Sequence, residues 1–445
     1  MKGLPKLNHS HIYNKSVNLI RRIDPIRVNG KVTQVIGLTI EAKGPAVSLG
    51  EVCIIESRTQ NQTIYAEVVG FKHDKVLLMP LSEIGSISPG SQVIPTGKPF
   101  NVKVGFELLG SVLDGLGRPI DESSIPDNLE TYSVNNTPPN PLSRPRITQP
   151  LSVGVRSIDA LHTVGKGQRI GLFAGSGVGK STLLGMIARN TEADVNVIAL
   201  IGERGREVRE FIDKDLGPEG LKKSVLIVAT SDQPALVRMK GALLATAVAE
   251  YFRDQGKQVM LMMDSLTRYA MAGREVGLAV GEPPAARGYT PSVFATLPRL
   301  LERAGTSATG SITAFYTVLV DADDMNEPIA DAVRGILDGH IVLSRKLAHK
   351  GHYPAIDVLQ SVSRVMNDIS DKEHLEVSNR LKELLAIYRE SEDLISIGAY
   401  KKGSNRKLDI AIQFKDRIDQ FCQQQIYEKT TLQESIDSLT QLIRE

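Results

Sequence analysis

Between residues 150 and 365, six apolar β-rich runs alternate with stretches of helical periodicity: RIGLF, NVIALI, VLIVAT, QVMLMMD, SITAFYTVLV and HIVL. The runs are apolar almost throughout rather than at every second position, so both faces of the strands they form must be covered. Strands separated by helices and buried on both faces build a mostly parallel sheet sandwiched between helical layers. This pattern predicts an α/β core, and such a core collects ligands just beyond the carboxyl ends of its strands.

Three short segments fall at such ends. AGSGVGKST, residues 174–182, follows RIGLF and opens the helical stretch KSTLLGMIARN, the setting a phosphate-binding P-loop requires. Gly175, Ser176, Gly177, Val178 and Gly179 supply backbone N–H groups to phosphate oxygens, Lys180 supplies a positive charge for the β and γ phosphates, and Ser181, with Thr182 beside it, offers a hydroxyl to Mg²⁺. Ala174 stands where the strict motif has glycine, a change the motif tolerates. Asp264 closes the run QVMLMMD and is placed to hold the magnesium through water. Glu203 lies just past NVIALI, where it could position or polarise an attacking water. From the residues alone, Glu203 could equally belong to a solvated helix start with Arg204, Arg206, Glu207, Arg209 and Glu210.

The flanking sequence has a different texture. Residues 1–24 form a first segment in which Ile12, Leu19, Ile20 and Ile23 share a helical face, which suits either a partner-binding amphipathic helix or a frayed terminus. Residues 25–95 carry short β-rich runs broken by Gly, Asn, Asp and Pro, the pattern of a small antiparallel barrel. The stretch NNTPPNPLSRPRI sustains neither helix nor central strand and marks a surface crossing into the main domain, assigned to residues 96–369. Strands vanish after residue 369, and residues 370–445 form a helical domain whose first helix is capped by Ser370 with Glu373 three residues on.

Composition narrows the function classes. Fifty-three basic against 51 acidic residues leave a net charge of +2, too mild for a nucleic-acid footprint. Cys53 and Cys422 stand far apart without metal-ligand spacing, which suits two reduced thiols in a cytosolic protein. No run reaches the ~20 apolar residues of a membrane span.

FAGSGVGKSTLLGMIAR, IGERGREVREF, ATSDQPALVR, MMDSLTRYAMAGREVGLAVGEPP, GYTPSVFATLPRLLERAG and VLVDADDMNEPIADAVRGILDGHIVLSR together resemble the flagellar export ATPases. These are members of the type III secretion ATPases and relatives of the catalytic F1 ATP synthase subunits. The resemblance covers nearly the whole chain in order, and ATSDQPALVR is more specific to the secretion branch. It implies a RecA-like P-loop core, ATP hydrolysis with Mg²⁺, Glu203 as the catalytic carboxylate, and Asp264 with Ser181 at the metal. It places Arg204 and Arg268 near the phosphates, Tyr353 of YPA against adenine, and Arg364 of SVSR as a finger reaching the nucleotide of a neighbouring subunit. Without the resemblance, Tyr353 reads as a core aromatic and Arg364 as a surface charge.

The resemblance further implies a homohexamer whose central opening is lined by the Tyr289–Phe294 region, facing a stalk or cargo. Its partners would be a negative regulator at the N-terminal segment, a coiled-coil stalk protein, export chaperones with cargo, and the cytoplasmic face of a membrane export gate. The N-terminal wording KVTQVIGLTIEAKGPAVSLGEVC favours the flagellar branch over a virulence injectisome. A rotary synthase catalytic subunit would need a second chain to provide the finger, whereas this chain carries both halves of the site. A hexameric RNA translocase of the Rho type would want stacking aromatics, yet the chain has no Trp and 5% aromatics. A nucleotide-gated scaffold without turnover is the non-enzymatic alternative.

Overall fold

The computed structural model describes residues 28–444 apart from 58–62, 84, 86, 121–125, 127 and 321–323, together with residues 13 and 17. The amphipathic stretch proposed over residues 8–23 lies outside the described residues. Two compact units divide the chain, 1–99 and 100–445.

In the first unit, β1 (Gly30–Ile36), β2 (Thr39–Lys43), β3 (Glu51–Glu56), β4 (Thr63–Lys72), β5 (Lys75–Pro80) and β6 (Gln92–Pro99) close into an antiparallel barrel in the order β1-β2-β5-β4-β3-β6. Val32, Ile40, Ala42, Cys53, Ile55, Ala66, Val68, Val76, Leu78 and Val93 fill its interior. Closure pairs every strand on both sides and so removes the exposed edges that an open sheet this small would leave.

The second unit is built on a sheet of β7 (Val112–Asp114), β8 (Arg169–Ala174), β9 (Val195–Ile201), β10 (Ser224–Ala229), β11 (Gln258–Asp264), β12 (Ser311–Leu319), β13 (Gly339–Leu343) and β14 (Val362–Ser363). Their order is β14-β13-β8-β12-β11-β9-β10-β7. Pairing is parallel from β13 to β7, while β14 runs antiparallel along the β13 edge. The two-residue strand Gly305–Thr306 pairs β12 off this path. All six apolar runs are strands of this sheet, as the sequence predicts. β7 joins it from before the proline-rich crossing and pairs with β10.

Alternation of side chains sorts each strand between two cores. Val195, Val197, Ala199 and Ile201 of β9 face one helical layer with Val259, Leu261 and Met263 of β11. Ile198, Leu200, Met260 and Met262 face the other, with Leu183, Leu184 and Ile187 of α1 (Lys180–Asn190). The first layer holds α2 (Ala235–Asp254) and α3 (Leu266–Ala279). Each fully buried Leu, Ile or Met contributes about 1.5–3 kcal/mol by leaving water. Two-sided burial is therefore why the runs are apolar at consecutive positions.

The C-terminal helices α4 (Lys372–Ser396), α5 (Arg406–Cys422) and α6 (Leu432–Arg444) pack around Leu381, Leu384, Leu408, Ile418, Phe421 and Leu439. That core continues into Ala160, Leu161 and Val358 of the α/β part. The cap of α4 is Asp371, not Ser370: the Asp371 carboxylate accepts a hydrogen bond from the His374 N–H at 2.8 Å. The carboxylate does what the Ser370 hydroxyl was expected to do, and its charge also suits the positive end of the helix. Cys53 and Cys422 are both buried free thiols. Among the described residues no helix is long and apolar enough to cross a membrane.

The crossing segment is tied down by charge. Arg303 and Glu250 of α2 pair at 2.7 Å, 3% and 1% exposed, while Arg303 also donates to the Val134 carbonyl and Asn136 donates to Glu250. Removing one member leaves the other buried and uncompensated, a loss of about 3–5 kcal/mol. Arg303→Ala is therefore expected to lower the thermal midpoint clearly, and the double replacement Arg303→Met with Glu250→Leu to recover part of it. Equal midpoints for the single and double variants would refute this account of the pair.

Candidate active site

The parallel strands deliver their chemistry at one edge. β8 ends at Ala174 and passes into the P-loop, where Gly177 and Gly179 adopt left-handed backbone with φ of 77° and 88°. A side chain at Gly179 would also meet the Tyr353 ring at 3.4 Å. The positive φ calls for glycine at both positions. Val178 is buried and anchors the loop, while Gly175 is buried and Ser176, Gly177 and Ser181 are exposed. Lys180 opens α1, and its Nζ lies 2.5 Å from Asp264 Oδ1 and 3.4 Å from Glu203 Oε1. Three residues spread over 84 positions of the chain thus meet in one cluster.

Side-chain parity explains the convergence. Asp264 continues the Met260, Met262 series of β11 and so faces the α1 layer. Thr317 of β12 shares that face with Phe315 and donates its hydroxyl to Asp264 Oδ1 at 2.7 Å. Thr317 was not identified from the sequence: a threonine in a strand suggests only β propensity until the neighbouring strand is known.

The electrostatics of the cluster are lopsided. Burial works against the Lys180 charge, but Asp264 and Glu203 together outweigh it and raise the ammonium pKa. Glu203 is pushed up to about 7, first by burial and then by the Asp264 carboxylate, with Lys180 opposing. Glu207 accepts a side-chain hydrogen bond from Glu203 and is correspondingly held below the usual carboxylate range. A carboxyl poised near neutrality beside a lysine and a buried aspartate has the character of a group that exchanges protons at working pH.

The arginines divide. Arg268 packs its Cβ and Cγ against Gly202, and its Nε is buried without a hydrogen-bond partner among the described residues. An orphaned buried donor beside Gly202, next to Glu203, is suited to an anion. Arg204 has a side chain 79% exposed and pairs only loosely with Glu207 at 3.8 Å, so the fold does not bring it into the Lys180 cluster. Arg364 lies at the other end of the sheet. Ser363 pairs with Gly339 at the start of β13, and the Arg364 N–H donates to the Asp338 carbonyl, level with Arg169 at the start of β8. The five steps along β8 from Arg169 to Ala174 span roughly 17 Å, so Arg364 and the P-loop occupy opposite edges of the sheet.

Beside the P-loop opens a cavity of about 770 Å³ lined by Gly177, Gly179, Thr182, Leu183 and Met186, by Tyr353 and Pro354, and by Arg156 with the segment Gln420–Glu428. Tyr353 is 46% exposed and presents a ring to this space, so it is not the core aromatic that the residues alone suggested. Gln424, buried, closes the far wall: its backbone N–H donates to the Tyr353 carbonyl, its Oε1 accepts from the Arg156 N–H, and its Nε2 donates to the carbonyls of Gly154 and Glu428. Arg156 and Glu428 form an ion pair alongside. Nothing in QFCQQQIYEK signals this role, because it depends on α5 ending against the P-loop face. Tyr289 is 3% exposed and packs with Phe294 and Arg274, so its ring faces the core; the longest exposed run of that segment is 283–287, and Pro291 is exposed as well.

A parallel-sheet core with a P-loop, a buried acidic strand end and a second carboxylate, preceded by a closed barrel, defines the nucleotide-hydrolysing class to which ATP synthase catalytic chains belong. Residues 154–363 match the nucleotide-binding domain of the ATP synthase alpha/beta family, residues 32–97 its beta-barrel domain, and residues 370–441 the T3SS EscN ATPase C-terminal domain. The flagellum-specific ATP synthase of Bacillus subtilis is 62% identical over 96% of this chain and 98% of its own, and the type 3 secretion system ATPase of Xanthomonas euvesicatoria is 52% identical over 92% and 93%. The assembled ATPase EscN of enteropathogenic E. coli superposes with a TM-score of 0.88 at 48% identity, covering 93% of this chain and all of that one. The chain belongs to the family of flagellar and type III secretion ATPases, and it is an ATP-hydrolysing enzyme.

Thr317→Val removes one hydrogen bond from Asp264 at nearly constant volume, a loss of about 1 kcal/mol. The nucleotide and Mg²⁺ concentrations giving half-maximal ATPase activity should therefore rise by a few-fold; unchanged values for both would show that Thr317 does not support Asp264. Because Glu203 bears a proton below its raised pKa, kcat/KM should climb as pH passes through about 7. A profile flat between pH 6 and 8 would contradict Glu203 as the titrating group.

Proposed function

We propose that this chain works as a ring of identical subunits whose ATP hydrolysis serves flagellar protein export, with each active site finished by the neighbouring copy. The observation that carries the reading is the placement of Arg364 on the edge of the sheet opposite the P-loop. An arginine there is out of range of its own phosphates, yet it suits a head-to-tail contact, and such contacts close into rings.

Within one site the roles follow from position. Glu203 orients the attacking water and accepts its proton, a task for which a carboxyl near neutrality is matched. Lys180 neutralises the β and γ phosphate oxygens, and Arg268 offers its unpartnered Nε to the same anion. Tyr353 gives purine a flat face beside Gly179. Ser181 and the Thr317-bound carboxylate of Asp264 are hard oxygen donors that fit Mg²⁺, which would supply charge compensation for the transferring phosphoryl group. Arg364 of the next copy adds positive charge to that group, and such fingers are worth about 10³–10⁵ in rate elsewhere. Arg204 is assigned to the site rim.

For the wider setting, the 62% identity to a flagellum-specific ATP synthase favours the flagellar branch over an injectisome. EscN has been solved assembled and in complex with its central stalk EscO, which supports a stalk partner in this protein's ring. Residues 283–287 and the exposed Pro291, rather than the buried Tyr289 ring, are the parts of that segment suited to face stalk or cargo. A regulator at residues 1–24, chaperone–cargo complexes and the cytoplasmic face of a membrane export gate complete the proposed partners.

Mixing two dead variants tests the shared site. Lys180→Ala lacks phosphate binding but keeps its finger, and Arg364→Ala has the reverse defect. A mixture should recover a substantial part of the activity that neither shows alone, and wild-type specific activity should rise cooperatively with protein concentration. Absence of recovery, with activity linear in concentration, would establish a self-contained site instead.

A further inference from the structure

We infer that Gln168 is a positioning residue for the arginine finger, and that β8 is a strut carrying the P-loop at one end and holding the finger strand at the other. The inference rests on the shared-site reading of Arg364.

Gln168 stands immediately before β8 and is fully buried. Its side-chain amide is used completely. Oε1 accepts from the Gly165 N–H at 2.9 Å, and Nε2 donates both to the Asp338 carbonyl and to Ser363 Oγ at 3.1 Å each. Ser363 precedes Arg364, and its hydroxyl donates onward to the Thr163 carbonyl at 2.8 Å. The Asp338 carbonyl that receives Gln168 also receives the Arg364 N–H. One amide therefore touches both supports of the finger's backbone, the carbonyl on one side and the preceding side chain on the other.

The neighbourhood leaves little slack. A Cβ at Gly339 would fall 2.6 Å from the Val362 carbonyl oxygen and 3.2 Å from Gln168 Nε2, so β13, β14 and Gln168 are in direct backbone-level contact. Arg169, the next residue, locks the same Asp338 through its guanidinium at 2.9 and 3.0 Å and through its backbone N–H. β14 itself has only two residues and a short antiparallel register, too little to fix an exposed arginine by ladder bonds alone. Among the described residues the finger side chain makes one hydrogen bond, to the Arg334 carbonyl at 3.3 Å. Its placement is consequently set from below, by the residue that immediately precedes the P-loop strand. An ångström of misplacement in such a group costs on the order of 100-fold in rate.

Gln168→Ala and the milder Ser363→Ala, which removes only the hydroxyl, test the assignment by complementation. Each variant alone should lose kcat by about 10- to 100-fold with little change in KM or in the affinity of isolated protein for nucleotide. Mixed with Lys180→Ala, which donates a sound finger, each should regain turnover. Mixed with Arg364→Ala, which has a sound P-loop but no finger, neither should. Recovery with Arg364→Ala, or a loss confined to KM, would mean that Gln168 serves its own P-loop and would overturn the inference. So would undiminished kcat in both variants. The Arg364→Ala with Lys180→Ala pair runs as the control: its failure would remove the shared-site reading beneath the inference, whereas its success beside failed rescue of Gln168→Ala and Ser363→Ala by Lys180→Ala would count against Gln168 alone.

Discussion

A parallel sheet must end all its strands on the same edge, and the chemistry of this protein depends on that constraint. β8, β9 and β11 start far apart in the chain, but their register brings Ala174, Ile201 and Asp264 to one rim. Helices covering both faces make the strands largely apolar, with Asn196, Thr313 and Thr317 as buried polar exceptions, so charged groups are admitted where a strand ends. Lys180, Glu203 and Asp264 are those admissions. Parity along the strand then decides which face each one serves, which is how Asp264 and Thr317 come to lie under the P-loop helix.

Within the cluster a single cation faces two carboxylates. Lys180 sits nearer Asp264 than Glu203, at 2.5 against 3.4 Å. Asp264 holds both Lys180 and the Thr317 hydroxyl, whereas Glu203 is left with a raised pKa and a proton shared toward Glu207. The two acids thus differ in their surroundings, which is what the proposed division into a metal ligand and a base requires.

The opposite rim of the sheet carries equal weight. The bidentate Arg169–Asp338 pair, the Gln168 amide and the short strand β14 hold Arg364 where it is useless to its own P-loop. Under the proposed reading, a chain with its phosphate site on one edge and Arg364 on the other completes its active site only beside a second copy. The C-terminal helices add the remaining wall: Gln424 fastens the end of α5 to the backbone of Tyr353, so the cavity beside the P-loop is made jointly by both parts of the unit.

Much of this was legible in the residues. The six apolar runs, the barrel and the helical end follow from local period and turn chemistry, and the P-loop and Asp264 follow from their positions at the ends of runs, whereas position left Glu203 open until the resemblance was drawn. Arg364 and Tyr353 carried no physical signal of their own and were named through resemblance. The cap at Asp371, the burial of Tyr289, the solvent-facing Arg204 and the supporting roles of Thr317, Gln424 and Gln168 were decided by tertiary structure. Each depends on which strand neighbours which, or on where a helix ends against a distant loop. Periodicity along a chain records whether a residue is inside; the identity of what it meets there is fixed only when strands separated by fifty or more residues choose their order.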